Sequence, residues 1–401
     1  MGDIAGVTSP PYDVIGPRVL SSLLDSSPYN SVRLILPGPE TGGPVSAAAA
    51  GALAADRLDE WLSTGALVRD ECPAIYVYEQ NGSSVLQRGL VLLVRVGPPS
   101  SSGIFPHEAV MPGPVAGRRA LMEATRANLE PIFLVYNGGG AALPSGTPLV
   151  ETVTRDGTKH RLSAVTGSAG EDLAARLRGQ TALIADGHHR YAAYRELSEA
   201  MHAAGYGDGP WDYGLAFLVD ADDYPPRLGA IHRVLPGLDA AEAARRAAAA
   251  FTVRKLPGGF EASLAALAGA GADGGTAFAL AGPDGYWLLT EPDPARAALA
   301  MPSGTSARWR SLDAAVLRGL LLADLWGIED NERDVLISHD ASEAVRMAGS
   351  AGSRAGTAVL CNPVPFDAVR DIAAGGETVP RKSTSFGPKP RTGFLFRTFD
   401  D

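Results

Sequence analysis

The chain has 401 residues, 45% of them hydrophobic, with a mean hydropathy of +0.02, enough to bury a sizeable core in one large or two to three joined domains. Its 35 Lys and Arg against 45 Asp and Glu leave a net charge of −10, which argues against the broad basic surface of a nucleic-acid binder. Two distant cysteines, Cys72 and Cys361, make neither a disulfide framework nor a CxxC zinc pair, and no run approaches the roughly 18 to 20 apolar residues of a membrane span. With no charged-then-apolar leader at its start, the sequence reads as cytoplasmic.

Taken in order, Ser9-Pro10-Pro11-Tyr12-Asp13 is an extended entry held by two prolines. A short helix near Arg18 to Leu24 precedes an expected strand, Asn30 to Leu36, stopped by Pro37. A helix over Ala47 to Leu62 closes at Gly65, and strands Ala74 to Glu79 and Gln87 to Val96 flank an Asn81-Gly82 turn. Phe105-Pro106-His107-Glu108 reads as a loop that leads, past Gly113-Pro114, towards a helix carrying Arg118-Arg119. Pro131 to Tyr136 is a buried strand, Gly138 to Gly140 a break, and a strand pair at the sheet's edge extends to about residue 170. After a helix over Glu171 to Arg178, the run Ala182 to Ala185 is a further buried strand. It stops at Asp186-Gly187-His188-His189-Arg190, and Tyr194, Leu197 and Met201 then mark one helix face.

Beyond this box, Tyr213 to Asp220 is an apolar strand ending at the acids Asp220, Asp222 and Asp223, which read as a solvated loop or as cation ligands. The next expected strand, Gly229 to Leu235, carries His232 and Arg233, which as neighbours point to opposite faces. Ala-rich helices and a hairpin at Pro283-Asp284-Gly285 fill Asp239 to Leu325. A strand over Asp334 to Asp340, a helix over Ala341 to Gly349 and a strand over Ala358 to Cys361 follow. The loop Lys382-Ser383-Thr384 offers an ammonium and two hydroxyls, a donor set for phosphate or carboxylate, before a last strand from Gly393 to Phe399.

The Asp-Gly-His-His-Arg box is the densest polar cluster. A strand-to-helix turn presents helix N–H groups and the positive end of the dipole, and glycine lets an anion approach the backbone. The plainer alternative is that Asp186 caps the helix and one histidine fills a gap. His107-Glu108 suits acid–base work, a cation, or merely a solvated loop. There is no P-loop, GxGxxG, HExxH or GxSxG pattern.

These stretches, from Ser9 to Asp13 through Asn30 to Arg33, Pro106 to Glu108, Asn128 to Phe133, Ala185 to Tyr191, His232-Arg233, and Lys382 to Thr384 with Phe386 and Pro388-Lys389, resemble the DUF1015 family in the same order. The chain departs from the family pattern in barely containing an N-terminal strand before Ser9, and in carrying Ile231 where Thr is usual. The box is also similar to that of free-serine kinases of the ParB/sulfiredoxin-like superfamily. That resemblance implies a mixed α/β fold with a ParB/sulfiredoxin-like catalytic core, and phosphoryl transfer from ATP or ADP, with Mg²⁺, to the hydroxyl of free serine or a related hydroxy amino acid. It implies that Asp186 orients the acceptor or a metal and that Gly187, His188, His189 and Arg190 hold the phosphates. Glu108 as base is an inference from chemistry, with Asp186 as the other candidate. His188 is placed with Asp186 and Glu108 in the catalytic group, Lys382, Ser383 and Thr384 with the phosphate-binding set, and His107, His232, Arg233, Tyr12 and Asp13 near the acceptor.

The expected organisation is a catalytic region 1–235, an Ala-rich supporting α/β insertion 236–330, and a C-terminal segment 331–401 packing back on the catalytic region. A homodimer is the candidate assembly, with no nucleic-acid or membrane partner. Two other readings stay open: a ParB-like nucleotide-binding switch that phosphorylates no metabolite, and a metal-dependent hydrolase using His107, Glu108, His188, His189, Asp222 and Asp223. An Asp186→Ala variant is expected to lose turnover while keeping its thermal midpoint.

Overall fold

In this computed structural model, which describes residues 3–38, 45–83, 85–140, 142–350 and 356–400, the chain divides into two units. Met1–Pro226 with Pro388–Asp401 forms the first, and Arg227–Gly387 the second.

The first unit is built on strands Ile75–Asn81 (β1), Leu86–Arg95 (β2), Ile104–Phe105 (β3), Ile132–Tyr136 (β4), Thr147–Val153 (β5), Lys159–Val165 (β6), Ala182–Asp186 (β7) and Tyr213–Asp220 (β8). They form one mixed sheet in the order β3-β7-β4-β8-β2-β1-β6-β5. β4 is parallel to β8, and β7 runs antiparallel to β4. β4 and β7 are buried at every position because both faces of the sheet are covered, which is why each reads as an unbroken apolar run. On one face Ile132, Leu134, Ile184 and Ala216 meet Tyr191 and Leu197 of the helix His188–Ala203. Leu34, Leu58, Trp61 and Leu121 make a neighbouring core with the helices Ala47–Ser63 and Pro112–Thr125.

Three sequence expectations differ in this unit. Val32–Ile35 is a short helix where a strand was expected, because Asn30 starts a turn: its Oδ1 accepts Val32 N–H at 2.9 Å while its amide donates to the Gly6 and Thr8 carbonyls. The Gly393–Phe399 strand shrinks to Arg397–Thr398, paired with Ala127–Asn128. The extended entry ends at Pro11, after which Tyr12–Val14 forms one 3₁₀ turn.

The second unit is a wholly antiparallel six-stranded sheet of His232–Leu235 (β9), Thr252–Leu256 (β10), Ala277–Gly282 (β11), Gly285–Thr290 (β12), Leu336–Ser338 (β13) and Thr357–Cys361 (β14), in the order β10-β12-β11-β14-β9-β13. Its alanines have a packing role. Ala240, Ala243, Ala244 and Ala247 are the buried face of one helix, and Ala344 and Ala348 that of another, so both helices lie close on the sheet. Leu317–Trp326 is π-helical, and its Trp326 indole donates to the Ala243 carbonyl at 3.1 Å.

The divisions expected at 235/236 and 330/331 are not where contacts divide the chain. β9 pairs with β13 and β14, so His232 and Arg233 belong with the second unit, and so does the Lys382–Thr384 loop. The expected Gly229 to Leu235 strand is two pieces, since Arg227–Gly229 pairs instead with Ser385–Gly387.

Candidate active site

β7 delivers Asp186 to the mouth of a turn that only glycine fits well. Gly187 sits at φ +94°, and a Cβ there would lie 3.0 Å from Ile132 Cγ2 and 3.2 Å from two nitrogens of Arg190. The Gly187 carbonyl accepts Tyr191 N–H at 2.9 Å, starting the helix His188–Ala203. Gly187 has no side chain with which to cap that helix, so its N-terminus keeps the anion-attracting character of a helix end without a capping side chain.

Around Asp186 three stretches far apart in sequence converge. Its Oδ2 accepts from Arg190 Nη2 at 2.7 Å, and its Oδ1 lies 2.5 Å from Lys389 Nζ. The same ammonium donates to Asp13 Oδ2 at 2.8 Å. Arg190 is 4% exposed; its Nη1 donates to the Pro131 carbonyl at 2.6 Å and lies 4.0 Å from Glu130. Glu130, also 4% exposed, accepts Tyr12 N–H at 3.1 Å and faces Arg118 at 3.8 Å. Arg118 in turn donates to the Ile35 carbonyl and lies over the Tyr12 ring. Three carboxylates thus meet three cations, so the buried cluster is balanced.

The electrostatics follow from burial and these partners. Burial raises the Glu130 carboxyl above its ordinary range, and Arg190 and Arg118, beyond hydrogen-bond reach, offset this only in part. Burial also pushes the Asp13 carboxyl up, but Lys389 and Arg190 outweigh it and hold it below the ordinary range. Asp186 and Glu130 outweigh the burial of Arg190 and keep it charged.

Beside this cluster His107 and His188 stand edge to face, with ring centroids 4.5 Å apart. His188 Nε2 accepts His107 N–H at 3.4 Å, and its Nδ1 lies 3.9 Å from Glu108 Oε2. His189 Nε2 accepts Met111 N–H at 3.1 Å. A ring nitrogen that accepts a backbone N–H leaves the proton of a neutral imidazole on the other nitrogen, so both histidines are assigned the Nδ1–H tautomer. Burial holds His107 at about 4, and burial with the nearby His107, His189 and Lys389 holds His188 well below its ordinary value. These imidazoles are therefore hydrogen-bond donors at neutral pH and not cations.

The box and the His107-Glu108 loop come together, as do Tyr12 and Asp13. Arg190 points inward, with its two terminal nitrogens on a carbonyl and Asp186 and its buried Nε without a partner among the described residues. In the second unit, His232 Nδ1 accepts Cys361 N–H at 3.1 Å, and Arg233 donates to the carbonyls of Ile231, Arg381 and Lys382. Arg233 thereby holds the Lys382–Thr384 loop, where Lys382 is exposed and the Ser383 hydroxyl donates to the Pro380 carbonyl.

The acids after β8 hold the glycine loop. Asp220 Oδ1 accepts Gly138 N–H at 2.9 Å, and Asp222 accepts Gly139 N–H at 2.8 Å and the Asn137 amide at 2.9 Å. Asp220 pairs with Tyr136 and Asp186 with Phe133, so the two acidic ends lie at opposite ends of β4, about 10 Å apart along it. The hydrolase ligand set is thus split, and the Nε2 atoms of His188 and His189 already accept N–H groups. Among the described residues the group that converges as metal ligands would is His202, Asp208 and Asp212, with ligand atoms within 4.8 Å of one another. No described helix is long and apolar enough to cross a membrane.

Glu130, Arg118 and Lys389 carry no role in the sequence reading, although Asn128 to Phe133 and Pro388-Lys389 stand in the family pattern. The available signal was a charged residue beside proline at the edge of an apolar run, in Glu130-Pro131 and Pro388-Lys389.

The family model described as "Protein of unknown function (DUF1015)" matches residues 2–315. No curated protein matches the sequence. Among solved structures, the chain is similar to a mutant free serine kinase in complex with ADP, at 14% identity over 77% of this chain and 90% of that one, with a TM-score of 0.37. It is similar to SbnI with a C-terminal truncation from Staphylococcus aureus, at 12% identity over 77% and 88% with a TM-score of 0.38. A conserved hypothetical protein from Pyrococcus furiosus aligns at 14% identity over 78% and 96%, with a TM-score of 0.35.

Proposed function

The chain belongs to the DUF1015 family, and we propose that it is a small-molecule kinase that transfers a phosphoryl group from ATP or ADP to the hydroxyl of free serine or a related hydroxy amino acid. The observation that carries this reading is the junction of an uncapped helix N-terminus at Gly187 with the His188–Glu108 pair, which joins an anion site to a carboxylate able to take a proton.

Phosphoryl transfer asks mainly for positioning and for neutralisation of charge on the transferred group. The phosphates lie at the N-terminus of the helix, where the first-turn N–H groups and the Nδ1–H donors of His188 and His189 meet them. Glu108, whose side chain is 32% exposed against 10% for Asp186, is the carboxylate with access to an incoming hydroxyl. It takes the hydroxyl proton as the acceptor oxygen forms its bond to the terminal phosphorus. The bond from that phosphorus to the bridging oxygen breaks, and its electron pair leaves with the nucleotide. Asp186 is an anchor held by Arg190 and Lys389, which makes Arg190 a positioning residue. Mg²⁺ would arrive on the nucleotide phosphates, and Asp13, the more exposed carboxylate beside the anion site, is the hard oxygen donor that would meet it. That ion would supply further neutralisation of phosphate charge.

The test is a Glu108→Gln variant assayed for phospho-amino-acid product by mass spectrometry. Loss of its base should lower kcat about 100- to 10,000-fold with nucleotide affinity kept. Wild-type turnover in that variant would remove Glu108 from the mechanism.

A further inference from the structure

We propose that Lys389 is a further catalytic residue, the cation that meets the oxygens of the transferred phosphoryl group. The inference rests on the phosphotransferase reading and adds a residue from the chain's last segment, outside the box.

A transferred phosphoryl group needs positive charge fixed on its oxygens. The box's histidines supply none: Nε2 of His188 and of His189 each accepts a backbone N–H and so carries no proton, and burial holds the neighbouring His107 uncharged at neutral pH. Arg190 is committed: it is 4% exposed, one Nη on Asp186 and the other on the Pro131 carbonyl. Arg118 donates to the Ile35 carbonyl and stacks on Tyr12.

Lys389 differs on each count. Its side chain is 23% exposed, and its head lies on Asp186, one residue before the helix N-terminus. Its other partner, Asp13, is 38% exposed, so that contact faces solvent. An ammonium has three donors on a flexible four-carbon stem and can exchange one carboxylate for a phosphate oxygen without leaving the other. Burial works against its charge, but Asp186 and Asp13 outweigh this and hold the ammonium above the ordinary lysine value. It therefore stays protonated through the reaction and exchanges no proton, while the hydroxyl proton goes to Glu108. Pro388 before it and the Ser9–Thr392 bridge after it fix its backbone.

The experiment is calorimetric titration of the full chain with Mg²⁺-ADP and Mg²⁺-ATP, for wild type, Lys389→Met, Lys389→Arg and the charge-matched control Lys255→Met. Thermal midpoints are measured on each. Lys389→Met should weaken nucleotide binding about 10- to 100-fold. Lys389→Arg, which keeps the charge and the ion pairs, should restore most of it, and Lys255→Met should bind as wild type. A purely structural lysine would lower the midpoint without this selective loss. Equal binding by wild type and Lys389→Met, or by Lys389→Gln should the methionine variant fail to fold, overturns the assignment and leaves the kinase reading standing. A wild-type chain that binds neither nucleotide overturns both.

Discussion

Asp186 shows how the structure changes what a substitution should do. The sequence alone makes it a site residue whose removal spares the fold, whereas its carboxylate is the shared partner of Arg190 and Lys389 in a buried, balanced cluster. Removing one member of a buried ion pair leaves the other charge uncompensated and costs about 3 to 5 kcal/mol. Asp186→Ala should therefore unfold at clearly lower urea concentration than wild type, and an unchanged midpoint would contradict the cluster as described. The histidines set a pH dependence. His107 titrates near 6.5 unfolded and at about 4 folded, so below pH 6.5 the unfolded chain takes up a proton that the folded chain refuses. Stability is thus lost as pH falls from about 6.5 towards 4, by about 3 kcal/mol for this group, and a His107→Gln variant should show a shallower acid slope in urea titrations. The box was legible because its residues are contiguous. Glu130 and Lys389 were not, because their meaning depends on neighbours at positions 190 and 186, which no local pattern encodes.

The strand–turn–helix at Ala182 to Ala203 is the element most readable in advance. An apolar run, a glycine and a helical spacing are all local signals, and the structure returns the strand as Ala182–Asp186 and the helix as His188–Ala203, starting within the box itself. Its turn gives a direct test. Gly187→Ala would force a side chain into positive φ and against Ile132 and Arg190, costing about 1 to 2 kcal/mol or more. A variant with wild-type stability would mean that the turn is not held at φ +94°. The Asn30 to Leu36 stretch was misread for a related reason. Val32 and Ile35 are β-formers by composition, but Asn30 ties its side chain to Val32 N–H and to Gly6 and turns the chain into a helix. Side-chain to backbone bonds over 24 residues do not show in a propensity pattern.

For the whole molecule, the mixed α/β class was legible from alternating strands and helices, and the division into units was not. The last residues return to the first unit, where Ser9 pairs with Thr392 and Lys389 reaches Asp13 and Asp186. A chain ending at Gly387 should lose amide protection around Ser9 and Thr8 in hydrogen exchange, and unchanged protection there would show that the tail is dispensable to the first unit. The proposed phosphoryl-transfer site for a small hydroxy amino acid lies in this first unit. Its test is phosphorus NMR of the purified chain with Mg²⁺, ATP or ADP, and a panel of free hydroxy amino acids led by serine. A new phosphomonoester resonance that disappears in Glu108→Gln is the predicted result. A spectrum in which the nucleotide signals shift on binding but no phosphomonoester forms with any acceptor would contradict it.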